Sequence, residues 1–122
     1  MADTYKFIDL LDELIELLET MTTHLMKNEM DKYEENISGL SRLLKMCFPQ
    51  IIISYSDPAL RSVAEDATYW SGQLGRIIET ISADDKFAKI DVLYQETRVN
   101  LISYREMIKD TAICEELIEE TE

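Results

Sequence analysis

The fold is decided by residues 7–25, which read FIDLLDELIELLETMTTHL. Apolar side chains recur there at alternating spacings of three and four, which keeps them on one face of an α-helix. One row consists of Ile8, Leu11, Ile15, Leu18, Thr22 and Leu25, and the row beside it consists of Phe7, Leu10, Leu14, Leu17 and Met21. The pattern predicts a helix over about 3–27 with an apolar face wider than one neighbouring helix requires.

The next stretch predicts a helix over about 30–55 that contains Pro49. Its apolar row is Met30, Tyr33, Ile37, Leu40, Leu44, Cys47 and Ile51. Proline removes a backbone hydrogen bond and clashes with the preceding turn, but this row keeps its phase across Pro49. The phase favours one helix kinked at Pro49 over a helix that stops at Phe48 and is followed by a short segment.

Two further helices are predicted over about 58–82 and 85–110. Asp57 and Pro58 are typical of a helix start, and Asp84 or Asp85 can cap the last helix. The third row is Leu60, Val63, Ala67, Trp70, Leu74, Ile77 and Ile81, and the fourth is Phe87, Ile90, Tyr94, Thr97, Leu101, Tyr104 and Ile108. Gly72 and Gly75 lie inside the third helix, where they can permit a neighbouring helix to approach closely or mark a local break.

Four helices of similar length with short connections predict an all-α, antiparallel, up-down-up-down four-helix bundle. We expect one domain over residues 1–110, followed by an acidic tail over 111–122. Five of the last eight residues are glutamates, and acidic residues at a helix C-terminus oppose the helix dipole. The tail is therefore expected to fray or to project as an extension of the last helix.

Charge and composition narrow the classes of function. The chain has 25 acidic and 12 basic residues, and its net charge is −13. An acidic surface repels phosphate backbones and anionic lipid headgroups, so nucleic acids and membranes are not expected as partners. The first residues do not resemble a signal peptide, no long apolar span is present, and two distant cysteines form no disulfide framework. A cytoplasmic protein is expected.

No motif for catalysis, a cofactor or a metal ion emerges. His24, the one histidine, follows Met21 at a spacing of three, whereas di-iron bundles use Glu-x-x-His. Cys47 falls on a core row, and Cys114 lies in an acidic segment that would disfavour a thiolate. Gly-rich phosphate loops are also missing. The sequence predicts a protein that is not an enzyme, although a cation site built from carboxylates or an enzymatic bundle remains an alternative.

Trp70-Ser71-Gly72 resembles the Trp-x-Gly signature of small helical proteins exported by specialised secretion systems. In that family the triplet lies in the turn between two long helices. Here it falls inside the third apolar row, with Trp70 on the core face, and the likeness covers only three residues. The spacing therefore favours a core tryptophan.

Binding to another protein is the function that remains, through apolar side chains that one bundle core does not require. Three consecutive isoleucines and Tyr55 cannot all face inward from one helix, so part of this cluster is expected to be exposed. The predicted partner-binding residues are Ile51, Ile52, Ile53, Tyr55, Phe7, Leu10, Leu14 and Leu17. A partner helix would dock beside helix one or near Pro49, as in adaptors or small acidic export chaperones, which are similar in size and charge only. A self-associating structural homo-oligomer is the alternative.

Overall fold

The computed structural model describes the backbone of residues 2–54 and 67–121 and the side chains of residues 6–54 and 69–110. Its helices are α1 (Ala2–Met26), α2 (Met30–Glu35), α3 (Ile37–Ser54), α4 (Ala67–Ile81), α5 (Lys86–Ile90), a π-helical segment (Asp91–Arg98) and α6 (Val99–Thr121). They group into the four predicted helices: α1 is the first, α2 and α3 form the second, α4 is the third, and α5, the π-helical segment and α6 form the fourth. The described ranges contain no β-strand. The chain is an all-α four-helix bundle. The predicted helix start at Asp57 and Pro58 lies outside the described residues.

α1 ends at a left-handed residue. Asn28 has a φ of 59°, a conformation that asparagine tolerates better than most residues. The amide of Glu29 donates to the carbonyl of His24 at 2.8 Å, and the amide of Asn28 donates to that of Leu25 at 3.2 Å. These two bonds satisfy carbonyls that the end of the helix would leave open. The predicted break at residues 27–29 is confirmed.

The second helix continues through Pro49, as the phase of its apolar row predicts. Pro49 lies inside α3 and is exposed, while Phe48 and Ile51 on either side of it in sequence are buried. Proline leaves the carbonyl four residues earlier, at Lys45, without its usual helical donor. An additional one-residue turn at Asn36 separates α2 from α3. Its side chain donates to the carbonyl of Lys32 at 3.1 Å, a local bond of the kind that competes with helix hydrogen bonds.

The fourth helix begins at a cap that the sequence predicts and then changes its winding. The carboxylate of Asp85 accepts hydrogen bonds from the amides of Phe87 and Ala88 at 3.0 and 3.2 Å. From Asp91 the backbone is π-helical for eight residues. Helical backbone then runs past Asp110 to Thr121. The side chains of the acidic tail lie outside the described residues, so a frayed or projecting tail stays a prediction.

The predicted core row of the fourth helix is wrong at Phe87, whereas Ile90 is half-buried and packs against the core. Phe87 is 71% exposed, whereas Lys89 and Leu93 are buried. A π-helix bonds each amide to the carbonyl five residues earlier, so it winds more loosely than an α-helix. Side chains four residues apart then stay on one face. The buried row therefore runs with repeated spacings of four, through Lys89, Leu93, Thr97 and Leu101.

Contacts between distant residues show which helix ends lie together. α1 packs against α3 and the fourth helix, α3 packs against α4, and α4 packs against the π-helical segment. Lys86 donates to Asn28 at 3.0 Å near the end of α1, and Arg105 pairs with Asp12 at 2.7 Å towards its start. These contacts place the start of the fourth helix near the end of α1, and the up-down-up-down order of the bundle stays a prediction.

An aromatic cluster joins the four long helices inside the core. The Trp70 ring, 2% exposed, lies edge-on to Phe48 of α3 and Tyr104 of α6, with centroids 5.8 and 5.7 Å away. Tyr104 in turn contacts Phe7 of α1 at 6.4 Å. Trp70 is thus a core residue within a helix, as its spacing predicts. Gly72 and Gly75 do not admit a neighbouring helix: a Cβ added at either one would meet no atom within 4 Å.

Candidate partner-binding groove

Two of the predicted partner-binding residues need correction because they are core residues. Ile51 and Leu14 are both 0% exposed, so neither can contribute to the surface of the folded bundle. Ile52 is half-buried and packs against the core, whereas Ile53 is 67% exposed. Tyr55 lies outside the described residues. The isoleucine cluster is therefore divided between interior and surface.

The second apolar row of α1 is used within the bundle. Phe7, Leu10 and Leu17 are half-buried and pack against the core. The Cδ2 atom of Leu17 lies 3.8 Å from the point where a Cβ on Gly39 of α3 would stand. The extra width of α1 serves contacts with α3 on one side and the fourth helix on the other.

An apolar groove lies between α3 and α4, at a place that the sequence did not indicate beyond its nearness to Pro49. Its volume is about 350 Å³. Its walls carry Ser41 together with Leu44, Lys45, Pro49, Leu74, Ile78 and Ile81. Ile78 is 56% exposed, whereas its sequence neighbour Ile77 is fully buried. The groove is open to solvent and mostly hydrocarbon, the character that a docking site for a helix requires.

Charge is unevenly distributed around the bundle. α3 carries no acidic residue and two basic ones, Arg42 and Lys45. α4 carries one of each, Glu79 and Arg76, whereas α1 carries six acidic residues and one lysine. In a chain with a net charge of −13, the side formed by α3 and α4 is slightly basic. The absence of acids over residues 37–54 is the signal in the sequence that could have located this side.

The two cationic groups on α3 are not neutralised by carboxylates of the described residues. Of the groove's described wall residues, Lys45 is the one that carries a charge. No ion pair within the described ranges includes it or Arg42. Arg42 instead donates to the sulfur of Met46 at 3.5 Å. Both side chains are exposed, so both can meet an incoming carboxylate without first breaking an ion pair.

His24 has a structural partner. Its Nδ1 atom lies 3.3 Å from Oε1 of Glu29, whose other oxygen accepts from Lys32 at 2.9 Å. Both contacts hold the pKa of the Glu29 carboxyl below its ordinary value, and the contact with Lys32 has the larger effect. The three side chains fasten the turn between α1 and α2. They provide no group in the groove.

Cys47 of α3 is fully buried, as its core spacing predicts. Burial, together with the charge of Glu13, raises the pKa of its thiol to about 12. A thiol that ionises so reluctantly is a poor nucleophile at neutral pH. Within the described side chains, no group of three His, Cys, Asp or Glu residues is placed to hold a metal ion.

The buried thiol predicts a loss of stability at alkaline pH. The ordinary pKa of a thiol is 9.0, so the unfolded chain ionises at Cys47 from about pH 9 and the folded chain only near pH 12. Because the unfolded state then loses its proton first, the free energy of unfolding falls as pH rises, by roughly 1–2 kcal/mol at about pH 10.5. Urea unfolding at a series of pH values measures this fall in the free energy of unfolding.

A Cys47→Ala chain is the control for this effect. Burial also raises the pKa of Tyr33 from 10.0 to about 12. In the Cys47→Ala chain the decline then comes from Tyr33, so the free energy of unfolding should begin to fall only from about pH 10. An identical onset in the two chains would show that Cys47 does not cause the decline.

Comparison with known proteins gives no relative: no protein-family model, curated protein or solved structure matches the chain. Among the described helices, none is long and apolar enough to cross a membrane. Function is therefore inferred from the groove itself and from the charges around it.

Proposed function

We propose that this chain is a non-enzymatic cytoplasmic binding protein that holds an acidic amphipathic helix of another protein in the groove between α3 and α4. The observation that carries the proposal is an open, apolar groove in which the described wall residues include one charged side chain, that of Lys45. Charged residues are depleted at the centre of protein interfaces. Helix-in-groove recognition needs an apolar receptor of this kind, into which a partner helix places side chains from one face.

The dimensions of the groove define the apolar part of the partner. From Ser41 to Pro49 the wall runs eight residues along α3, which is about 12 Å at 1.5 Å per residue. Two turns of a partner helix cover this length. The partner is therefore expected to supply about three apolar side chains, spaced as i, i+4 and i+7, with Ile78 and Leu44 among their contacts.

The charges define the flanks of the partner. Carboxylates on the side of the partner helix that faces α3 would meet Lys45 and Arg42, and α3 offers no acidic residue to repel them. A lysine-rich partner would instead be drawn by the acidic surface of α1, away from the groove. The charge preference is thus opposite to the one that the net charge of −13 alone would produce.

A pair of synthetic helical peptides tests this proposal. Both carry leucines at i, i+4 and i+7; one has glutamates on its polar face and the other has lysines at the same positions. Fluorescence anisotropy should show saturable, micromolar binding of the glutamate peptide. Changing Lys45→Glu should weaken it by about three- to tenfold, because an exposed pair contributes up to about 1 kcal/mol and a repulsion replaces it.

Lys6→Glu is the matched control. Lys6 is exposed on α1, and this substitution changes the net charge by the same amount as Lys45→Glu. Its affinity for the glutamate peptide should stay within about twofold of the original. Equal weakening by both reversals would overturn the proposal, as would binding of the lysine peptide alone. Light scattering tests whether a second copy of the chain fills the groove instead. A dimer that becomes a monomer when Ile78 is changed to Asp would show that it does.

A further inference from the structure

A second concavity lies on the other side of α4, against the π-helical segment. Its volume is about 620 Å³, within the usual range for small-molecule sites. Its walls carry Tyr69, Gln73, Arg76, Gln95, Glu96 and Asn100. Apart from the ring of Tyr69, these side chains present polar ends. π-helical segments occur often at functional sites, and here the segment supplies Gln95 and Glu96. We call this concavity the polar cleft.

The floor of the polar cleft is anchored by a buried amide. Gln73 is only 4% exposed, and its Nε2 donates to the hydroxyl of Thr97 at 2.8 Å; Thr97 itself is 0% exposed. At one edge, Asn100 donates to the Tyr69 hydroxyl at 2.6 Å. These bonds link α4 to the π-helical segment and to α6, and they fix the orientation of Gln73 and Asn100. A ligand would therefore meet groups that are already positioned.

Glu96 and Arg76 place an acceptor and a donor side by side. Nη2 of Arg76 lies 3.1 Å from Oε1 of Glu96. The other carboxylate oxygen, Oε2, is buried and has no hydrogen-bond partner, and such a group costs free energy until a donor reaches it. Arg76 keeps further N–H groups, because its side chain is 58% exposed. The pair can thus accept a hydrogen bond and donate one at neighbouring points.

These features select the chemical class of the ligand. One positive and one negative charge cancel, so the cleft does not favour an ion of either sign. An acceptor and a donor lie side by side at Glu96 and Arg76, and a hydroxyl group both donates and accepts. A ring with neighbouring hydroxyls can donate to Glu96 and accept from Arg76, while its apolar face lies on the partly exposed ring of Tyr69.

We infer that the polar cleft is a carbohydrate-binding site. A small turn of the Glu96 carboxylate brings Oε2 to a sugar hydroxyl, and the adjacent hydroxyl accepts from Arg76. The site is separate from the apolar groove, so it stands whether or not a helix binds there. A shallow, solvent-open site of this kind predicts millimolar affinity for a single sugar.

Two glycines of α4 provide a matched test. Gly72 lines the cleft and Gly75 does not; both are exposed, and a Cβ at either would meet nothing within 4 Å. Leucine should therefore be accepted by the fold at both positions, with a higher melting temperature because glycine is a poor helix former. Gly72→Leu should fill the cleft and abolish sugar binding, whereas Gly75→Leu should leave it within twofold.

The measurement is an NMR titration of the full chain with the methyl glycosides of glucose, galactose and mannose and with N-acetylglucosamine. At least one sugar should shift the side-chain amide signals of Gln73 and Asn100 saturably. Glu96→Gln should weaken that binding about tenfold, since it removes the charged acceptor, and Glu106→Gln should not change it. The inference is overturned if no sugar gives a saturable shift, or if acetamide, which carries the amide group of N-acetylglucosamine without its ring, is the only compound that gives one. It is also overturned if Gly72→Leu and Gly75→Leu bind the sugar equally.

Discussion

The Trp70→Ala chain is expected to lose about 3–5 kcal/mol of its free energy of unfolding, the usual cost of removing a large buried aromatic side chain. Trp70 is 2% exposed and contacts Phe48 and Tyr104, which belong to two other helices. Since domains of this size are stable by only about 5–15 kcal/mol, urea unfolding followed by circular dichroism should show a much lower midpoint.

Tyr69→Ala is the control for this prediction. Tyr69 precedes Trp70 on the same helix and lies edge-on to it, with ring centroids 6.0 Å apart, but is 40% exposed. Its removal should cost only about 0.5–1.5 kcal/mol, the range for an aromatic pair. If Trp70→Ala costs no more than Tyr69→Ala, the aromatic cluster does not hold the four helices together.

The Ile78→Asp chain is expected to bind the glutamate peptide at least about 30-fold more weakly, which corresponds to about 2 kcal/mol. Ile78 stands on the rim of the groove and is 56% exposed. Aspartate there removes an apolar contact and places a negative charge where the leucines of the peptide must dock. Because the side chain is more than half exposed, the fold should remain, with a stability loss below about 1 kcal/mol from charge near the helix C-terminus.

Val99→Asp separates this local effect from net charge. Val99 is 45% exposed and begins α6, which does not line the groove. The variant has the same net charge as Ile78→Asp, and its affinity for the peptide should stay within about twofold. If both variants weaken binding alike, repulsion by the whole chain explains the result and the groove has no special role.

The periodicity of the sequence predicts most of the architecture because burial in a bundle follows helix phase. The first row of α1, from Ile8 to Leu25, is buried throughout. In the third and fourth rows, Trp70 and Leu101 are also buried as predicted. Asp85 caps its helix through two backbone amides, a role that its residue type and position indicate.

The first half of the fourth helix could not be predicted by the same reasoning. The row through Phe87 and Tyr94 assumes 3.6 residues per turn, but the backbone from Asp91 to Arg98 is π-helical. No residue type in this segment specifies a π-helix by itself. Tertiary contacts of Leu93 and Thr97 with the core favour the looser winding, and those contacts are not visible in one helix alone.

The candidate sites depend on the arrangement of helices in the same way. Ile77 lies on the third predicted row and is buried, whereas Ile78 lies off that row and is exposed. The row does not show that an open groove lies beside Ile78. The predicted partner surface failed at Leu14 because two neighbouring helices cover the broad apolar face of α1. It failed at Ile51 because that residue lies on the core row of the second helix. What remains open is determined by where α3 and α4 diverge, and a sequence pattern does not give that separation.

Methyl NMR of the full chain tests the groove most directly. With the isoleucine methyl groups labelled with ¹³C, saturation with the glutamate peptide should shift the signals of Ile78 and Ile81, which line the groove. The signals of Ile8 and Ile108, buried on α1 and α6, should not move. Shifts confined to α1 and α6, with Ile78 unchanged, would contradict helix binding between α3 and α4.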